Sequence, residues 1–297
     1  MQKFLLKEDG FCGTFYKGTN DFEKAIIFIS GAGISQKRTQ TYASFLLKQG
    51  YSVLVLGFYK WRGLPKDMFG IPVEYVNSAI SWLLSYQDHR IKKKAIIGTS
   101  TGAGYALLCA SLFTEISCVI AISPYDHVME GVDRKFRKTY KSTYTYKGQD
   151  IAFTPNTLLN NSILSILRQA KNNKKYTLQR VIRYFYDMNP PISSSRIKIE
   201  NMNADILIIA AKDDDFWPAD EAASRMEEML LKSNYPYRIK SIVYERASHL
   251  LGYIPTPNIL NKILIKTLIA AEKKYPKECE NARKDSVHQI LSFLSEW

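Results

Sequence analysis

The stretch Ala95-Ile96-Ile97-Gly98-Thr99-Ser100-Thr101-Gly102-Ala103-Gly104-Tyr105-Ala106-Leu107-Leu108 decides how this 297-residue chain is read. An apolar run of strand length ends in Gly-x-Ser-x-Gly and passes at once into a helix-forming run. Glycines two positions either side of the serine permit a turn too tight for larger residues. Such an elbow projects Ser100 Oγ from the strand end and turns the Thr101 backbone N–H toward the place where an oxyanion would form. The five letters alone also fit an ordinary Gly-rich turn. The strand before them and the helix after them are what make Ser100 a candidate nucleophile.

A nucleophilic serine needs a base, and the base needs an orienting acid. Downstream, the run Asp205 to Ala211 reads as a buried strand, and Lys212-Asp213-Asp214-Asp215-Phe216-Trp217-Pro218 leaves it as a loop. The segment Arg238 to Glu245 reads as another strand, and its exit loop, Arg246-Ala247-Ser248-His249-Leu250-Leu251-Gly252, carries a histidine. Serine, acid and histidine therefore follow in order, each at the carboxyl end of a strand-like run, where open α/β sheets place their sites.

Among three adjacent acids at most one has the register to meet the imidazole. Asp214 is the choice, with Asp213 and Asp215 expected as solvated loop acids or helix-start charges. The chain has four histidines. His89 reads as surface, His288 as partly exposed on a C-terminal amphipathic helix and His127 as lining the rim of the site, which leaves His249 as the base. After Ala25 to Ile29 the chain turns through Ser30-Gly31-Ala32-Gly33-Ile34-Ser35. The expected oxyanion donors are the backbone N–H groups of Ala32, with Gly33 the fallback, and Thr101. In this arrangement Ser100 attacks an acyl carbonyl, His249 takes its proton, and Asp214 fixes the imidazole tautomer.

Strand-like runs at about 25–30, 51–57, 94–99, 116–123, 204–211 and 238–245 alternate with helical stretches at about 37–49, 72–86, 102–113, 218–233 and 283–296. This predicts a single α/β domain over residues 1–297, with a mostly parallel central sheet flanked by helices. The N-terminus reads as a strand, an Asp9-Gly10 turn and a return strand through Phe11 to Tyr16. The one break is a basic insertion at about 124–203, too long for an ordinary connection and expected to stand above the serine as a cap. Thr157 to Leu167 and Leu178 to Tyr186 read as its helices, with Asn189-Pro190-Pro191 ending the second.

With 46% hydrophobic residues the chain can bury a full core, and its apolar runs are too short to span a membrane. No signal-peptide core opens it. Four cysteines, Cys12, Cys109, Cys118 and Cys279, have neither metal nor disulfide spacing, which predicts buried free thiols, a cytoplasmic location and no metal or other cofactor. The net charge is +13, and between residues 134 and 183 twelve lysines and arginines stand against Asp150 alone. Tyr140, Tyr144 and Tyr146 interleave with lysines there. That pattern fits an anionic partner, but a solvated lid face is the favoured reading and nucleic acid is not.

Residues of about 21 to 265 resemble the C-terminal catalytic domain of the acyl-CoA thioester hydrolases and bile acid-CoA:amino acid N-acyltransferases, an α/β-hydrolase family. The resemblance is carried by Val53-Leu54-Val55-Leu56-Gly57-Phe58-Tyr59, by Gly63-Leu64-Pro65-Lys66, and by Glu74-Tyr75-Val76-Asn77-Ser78-Ala79-Ile80-Ser81-Trp82-Leu83-Leu84. It continues into Ile97-Gly98-Thr99-Ser100, the Asp213-Asp214 loop with Trp217, and Ala247-Ser248-His249-Leu250. It implies a Ser100-Asp214-His249 triad, and a serine where the N-acyltransferases carry a cysteine resembles the hydrolase branch. Where that family usually has a lysine after the nucleophile, Thr101 stands, and about 20 leading residues are too few for its N-terminal β-sandwich. The expected activity is cleavage of a carboxylic ester or thioester, the substrate a small acyl ester or acyl thioester of anionic character. The alternatives are N-acyl transfer from acyl-CoA and, less favoured, a hydrolase fold that only binds a ligand or partner.

Overall fold

A computed structural model describes residues 1–19, 21–86, 91–161, 163–173, 176–252 and 259–297. His89, Lys174 and Lys175 lie outside the described residues. The chain opens with β1 (Gln2–Phe4), a helical turn α1 (Leu6–Asp9) and β2 (Cys12–Tyr16), so the expected N-terminal hairpin closes through a helical turn ending at Gly10. Then come β3 (Asp21–Ile29), α2 (Gln36–Lys48), β4 (Tyr51–Gly57), a two-residue β5 (Ile71–Pro72), α3 (Glu74–Ser85), β6 (Lys93–Thr99), α4 (Thr101–Leu112) and β7 (Cys118–Ile122).

After β7 the chain leaves the sheet. It forms β8 (Glu130–Val132), β9 (Lys138–Ser142), β10 (Tyr144–Tyr146), β11 (Gln149–Asp150), α5 (Ile163–Asn172) and α6 (Val181–Asp187) before returning as β12 (Asp205–Ala211). It ends with α7 (Ala219–Lys232), β13 (Ile239–Tyr244), α8 (Ile259–Leu268), α9 (Ala270–Lys274) and α10 (Pro276–Glu296). No described helix is long and apolar enough to cross a membrane.

Eight strands form one sheet in the order β1-β2-β4-β3-β6-β7-β12-β13. Every pairing from β4 to β13 is parallel, and β2 alone runs the other way, antiparallel to both β1 and β4. Parallel sheets need cover on both faces, and the strand sequences supply it by alternation. Ile27, Ile29, Leu54, Leu56, Ile96 and Val119 pack with α3, α4 and α7 on one face. Their neighbours Ile26, Phe28, Val53, Val55, Ile97 and Ile120 pack with α2 and α10 on the other. Strands buried on both sides read as unbroken apolar runs, which is why they were visible in the sequence.

The segment between β7 and β12 was less visible. Its two expected helices are present, each entered through a 3₁₀ turn, Thr157–Asn160 and Leu178–Arg180. The four short strands between 130 and 150 are not legible in the sequence because they are only two to five residues long, and because β10 pairs with Ile71–Pro72 some seventy residues away. Tyr144, expected among solvated lid residues, is buried instead: its ring packs on Tyr105 at 5.2 Å. Tyr140 is 74% exposed, with Lys138 Nζ 4.9 Å from its ring centre.

At the root of this segment Asp126 is buried and held by Arg225 of α7, Nε to Oδ2 at 2.8 Å and Nη2 to Oδ1 at 2.7 Å. His127, expected at the rim of the site, sits here with its side chain buried and Nδ1 3.0 Å from Asp126 Oδ1. Burial pushes the Asp126 carboxyl up, but the Arg225 hydrogen bonds and the His127 ring outweigh it and hold the group below its ordinary value. The stability gained from this depression is present above the unfolded carboxylate value, about 3.9, and is lost as pH falls through the lower folded value. Arg225→Met removes the guanidinium and leaves the buried carboxylate with the His127 ring alone. Because Arg225 is 37% exposed, the expected cost at pH 7 is about 2 kcal/mol, below that of a fully buried pair. Urea unfolding at pH 7 and at about pH 3 should show that the difference between variant and wild type shrinks in acid.

Candidate active site

Three carboxyl-end loops of the sheet converge on one point. Ser100 follows β6 with φ 58° and ψ −130°, a conformation rare outside glycine that the surroundings hold in place. Its N–H donates to Ile122 O at 2.9 Å, and its carbonyl accepts from Ala103 N–H at 2.8 Å as α4 begins. The tightness of the elbow is measurable: a Cβ on Gly98 would lie 2.2 Å from Gly102 O. A Cβ on Gly31, in the facing loop after β3, would lie 2.7 Å from Ser100 Cβ.

Asp214, in the loop after β12, has no exposed surface. Its Oδ1 accepts from the N–H groups of Phe216 at 2.8 Å and Trp217 at 3.3 Å. Its Oδ2 lies 2.7 Å from His249 Nδ1, and His249 Nε2 lies 2.9 Å from Ser100 Oγ. The imidazole is held between Phe216, 4.4 Å between ring centres, and the edge-on indole of Trp217 at 4.7 Å. That indole is itself fixed, its Nε1 donating to Ser123 O and Pro124 O, each at 3.1 Å.

The geometry brings Ser100, Asp214 and His249 together and separates the other candidates. Asp213 is half-buried and His288 is exposed on α10. Asp215 is not the solvated loop acid expected: it is 2% exposed, accepts the Ala271 N–H at 3.1 Å, and lies 3.1 Å from Arg180 Nε. Burial pushes its carboxyl up, and Ala271 and Arg180 offset that only in part.

The Ala32 amide is not open as expected: it donates to Thr101 Oγ1 at 2.6 Å. The preceding amide, Gly31 N–H, donates to Thr99 Oγ1 at 3.1 Å. Among the described residues, no cluster of three or more His, Cys, Asp or Glu could hold a metal ion.

Residues 71–296 match the family described as BAAT / acyl-CoA thioester hydrolase C terminal. The chain belongs to this family. The matched span contains Ser100, Asp214 and His249 and leaves out the loop after β3. Acyl-coenzyme A thioesterase 1 of Mus musculus is 23% identical over 270 residues, 90% of this chain and 58% of that protein. The peroxisomal succinyl-coenzyme A thioesterase of the same animal is 25% identical over 273 residues, 89% of this chain and 57% of that protein. The chain therefore spans little more than half the length of these relatives. A candidate dienelactone hydrolase from Klebsiella pneumoniae superposes with a TM-score of 0.55 at 13% identity, covering 100% of this chain and 98% of its own. The fold of this thioester-hydrolase family domain is the α/β-hydrolase fold.

Around the three residues this family domain builds a support that sequence reading missed. Ser123, at φ 48°, donates its hydroxyl to His249 O at 2.8 Å. Ser248 donates to the buried Glu272, which is paired with Arg283, and accepts the Leu250 N–H at 3.2 Å. From α6, Arg183 Nη1 donates to Asp214 O at 3.3 Å and, from the preceding turn, Arg180 Nη2 does so at 3.4 Å. None of these has a local signature; each depends on which distant loop arrives beside it. Arg180 and Arg183 were visible only as part of a charge excess.

Two glycines six residues apart test the elbow packing. Gly98→Ala drives a methyl carbon into backbone and should cost about 3 kcal/mol or more in urea unfolding. Gly104→Ala, where a Cβ meets only Tyr125 O at 3.5 Å within α4, should be neutral or stabilise by up to about 1 kcal/mol.

Proposed function

We propose that the chain is a serine hydrolase that cleaves carboxylic thioesters or esters through an acyl-enzyme on Ser100, with an acyl-CoA as its substrate class. The observation that carries this reading is the position of His249, 2.7 Å from Asp214 and 2.9 Å from Ser100. At those separations His249 Nε2 takes the Ser100 proton as Oγ bonds to the acyl carbon. The buried Asp214 carboxylate, its other oxygen already bonded to backbone, stabilises the imidazolium in an orientation the flanking rings enforce. Collapse of the tetrahedral species expels the thiol or alcohol, which takes the proton from His249, and water releases the acid in a second cycle.

The thioester preference rests on the family membership and on relatives named for acyl-CoA thioesters. A net charge of +13 suits an anionic substrate. Transfer to an amine is the second reading. A serine at the nucleophile position, where the N-acyltransferase branch has a cysteine, favours water as the acceptor. Incubation with an acyl-CoA plus glycine or taurine should yield free acid; N-acyl amino acid as the main product would reverse that choice.

The decisive measurement is turnover of short- and long-chain acyl-CoAs beside p-nitrophenyl esters, in wild type and Ser100→Ala. The variant should lose at least about 10³-fold in kcat with its melting temperature retained. Equal turnover by the two proteins would sink the reading.

A further inference from the structure

Resting on the serine-hydrolase reading above, we infer that the Thr101 side-chain hydroxyl is a direct donor to the oxyanion, standing between the substrate oxygen and the Ala32 amide. In the usual arrangement two backbone N–H groups meet that oxygen, one from the residue after the nucleophile and one from the loop after the third strand. Here the loop amides are engaged. Gly31 N–H donates to Thr99 Oγ1 at 3.1 Å and Ala32 N–H to Thr101 Oγ1 at 2.6 Å. The two threonines that flank Ser100 thus tie down two successive amides of the loop.

A hydroxyl has one proton and two lone pairs. By accepting from Ala32, the Thr101 hydroxyl spends a lone pair and keeps its proton to give, and the bond it accepts polarises it toward donation. Thr101 is a β-branched residue with few χ1 choices, adjacent to Ser100 and partly exposed at the site. Its position is set from two further sides. Tyr144 of β10 donates its hydroxyl to Thr101 O at 3.1 Å, and the close approach of Gly31 to Ser100 presses the loop against the elbow.

During attack, the Ser100 Oγ–carbon bond forms, the carbonyl π pair moves onto oxygen, and the serine proton passes to His249 Nε2. The new charge on oxygen meets the Thr101 backbone N–H and the Thr101 O–H, with Ala32 N–H behind the latter. Thr101 keeps its proton throughout. When the carbonyl reforms, the bond to sulfur or oxygen of the leaving group breaks, that group takes the proton from His249, and Thr101 returns to its starting state. A donor placed this way acts on the transition state more than on the bound substrate, so its loss falls on kcat.

The opposing possibility is that the side chain only obstructs the Ala32 amide, and the two ideas predict effects of opposite sign. Thr101→Ala and Thr101→Val should lower kcat for a thioester substrate at least about tenfold with KM within about twofold, whereas Thr101→Ser should stay within about threefold of wild type. Alanine or valine variants as fast as wild type, or faster, would overturn the proposal. Should the valine variant fail to fold, as judged by its melting curve, the serine-to-alanine ratio decides alone: tenfold supports the hydroxyl and unity refutes it. Fluorophosphonate labelling of the wild-type chain separates the levels. Label on Ser100 with no effect of Thr101→Ala removes only the hydroxyl's role; no label on Ser100 removes the serine-hydrolase reading and this proposal with it.

Discussion

A carboxylate with no access to water must have its lone pairs answered by protein, and Asp214 imposes that demand on the whole carboxyl edge of the sheet. One oxygen is met by the amides of Phe216 and Trp217, which forces the loop after β12 to curl back on itself. The other is met by His249, so the loop after β13 must come to it. The curl in turn sets Phe216 and Trp217 against both sides of the imidazole. The ring of His249 is therefore placed by the solvation needs of its neighbour as much as by its own chain.

The rest of the edge is organised to make those loops stay. Ser123 is held in a left-handed backbone conformation and spends its hydroxyl on the His249 carbonyl, while its own carbonyl receives the Trp217 indole. The short helix α9 touches both loops at once, Ala271 N–H on Asp215 and Glu272 on Ser248. A buried pair such as Glu272 with Arg283 adds little net stability compared with apolar packing, but it fixes geometry, and the geometry it fixes here is the residue before His249.

How much of this was readable in the sequence depended on the range of the interactions. The parallel core was legible because strands covered on both faces are apolar without interruption, as at Ala25 to Ile29 and Ile206 to Ala211. Ser100 was legible because a tight elbow restricts residues two positions away. Choosing among Asp213, Asp214 and Asp215 turned on register alone, and the fate of Asp215 was misread because its partners, Ala271 and Arg180, lie 56 and 35 positions away in the chain. The occupation of the Ala32 amide by Thr101 was invisible for the same reason. Sequence places both residues near Ser100, but only the approach of two loops decides whether an amide stays open or meets a side chain.

The arginines of the inserted segment give the fold one further property. Arg183 reaches the Asp214 carbonyl and the Trp217 carbonyl, and Arg180 reaches the Asp214 carbonyl and the Asp215 carboxylate. Each of these is made to the loop that orients the imidazole. A segment joined to the sheet only by its two ends is usually free to drift in sequence and length as it adapts to new ligands. This one is bolted to the loop that carries Asp214, so a change that re-angles α6 shifts that carboxylate, and the imidazole bonded to it, as well.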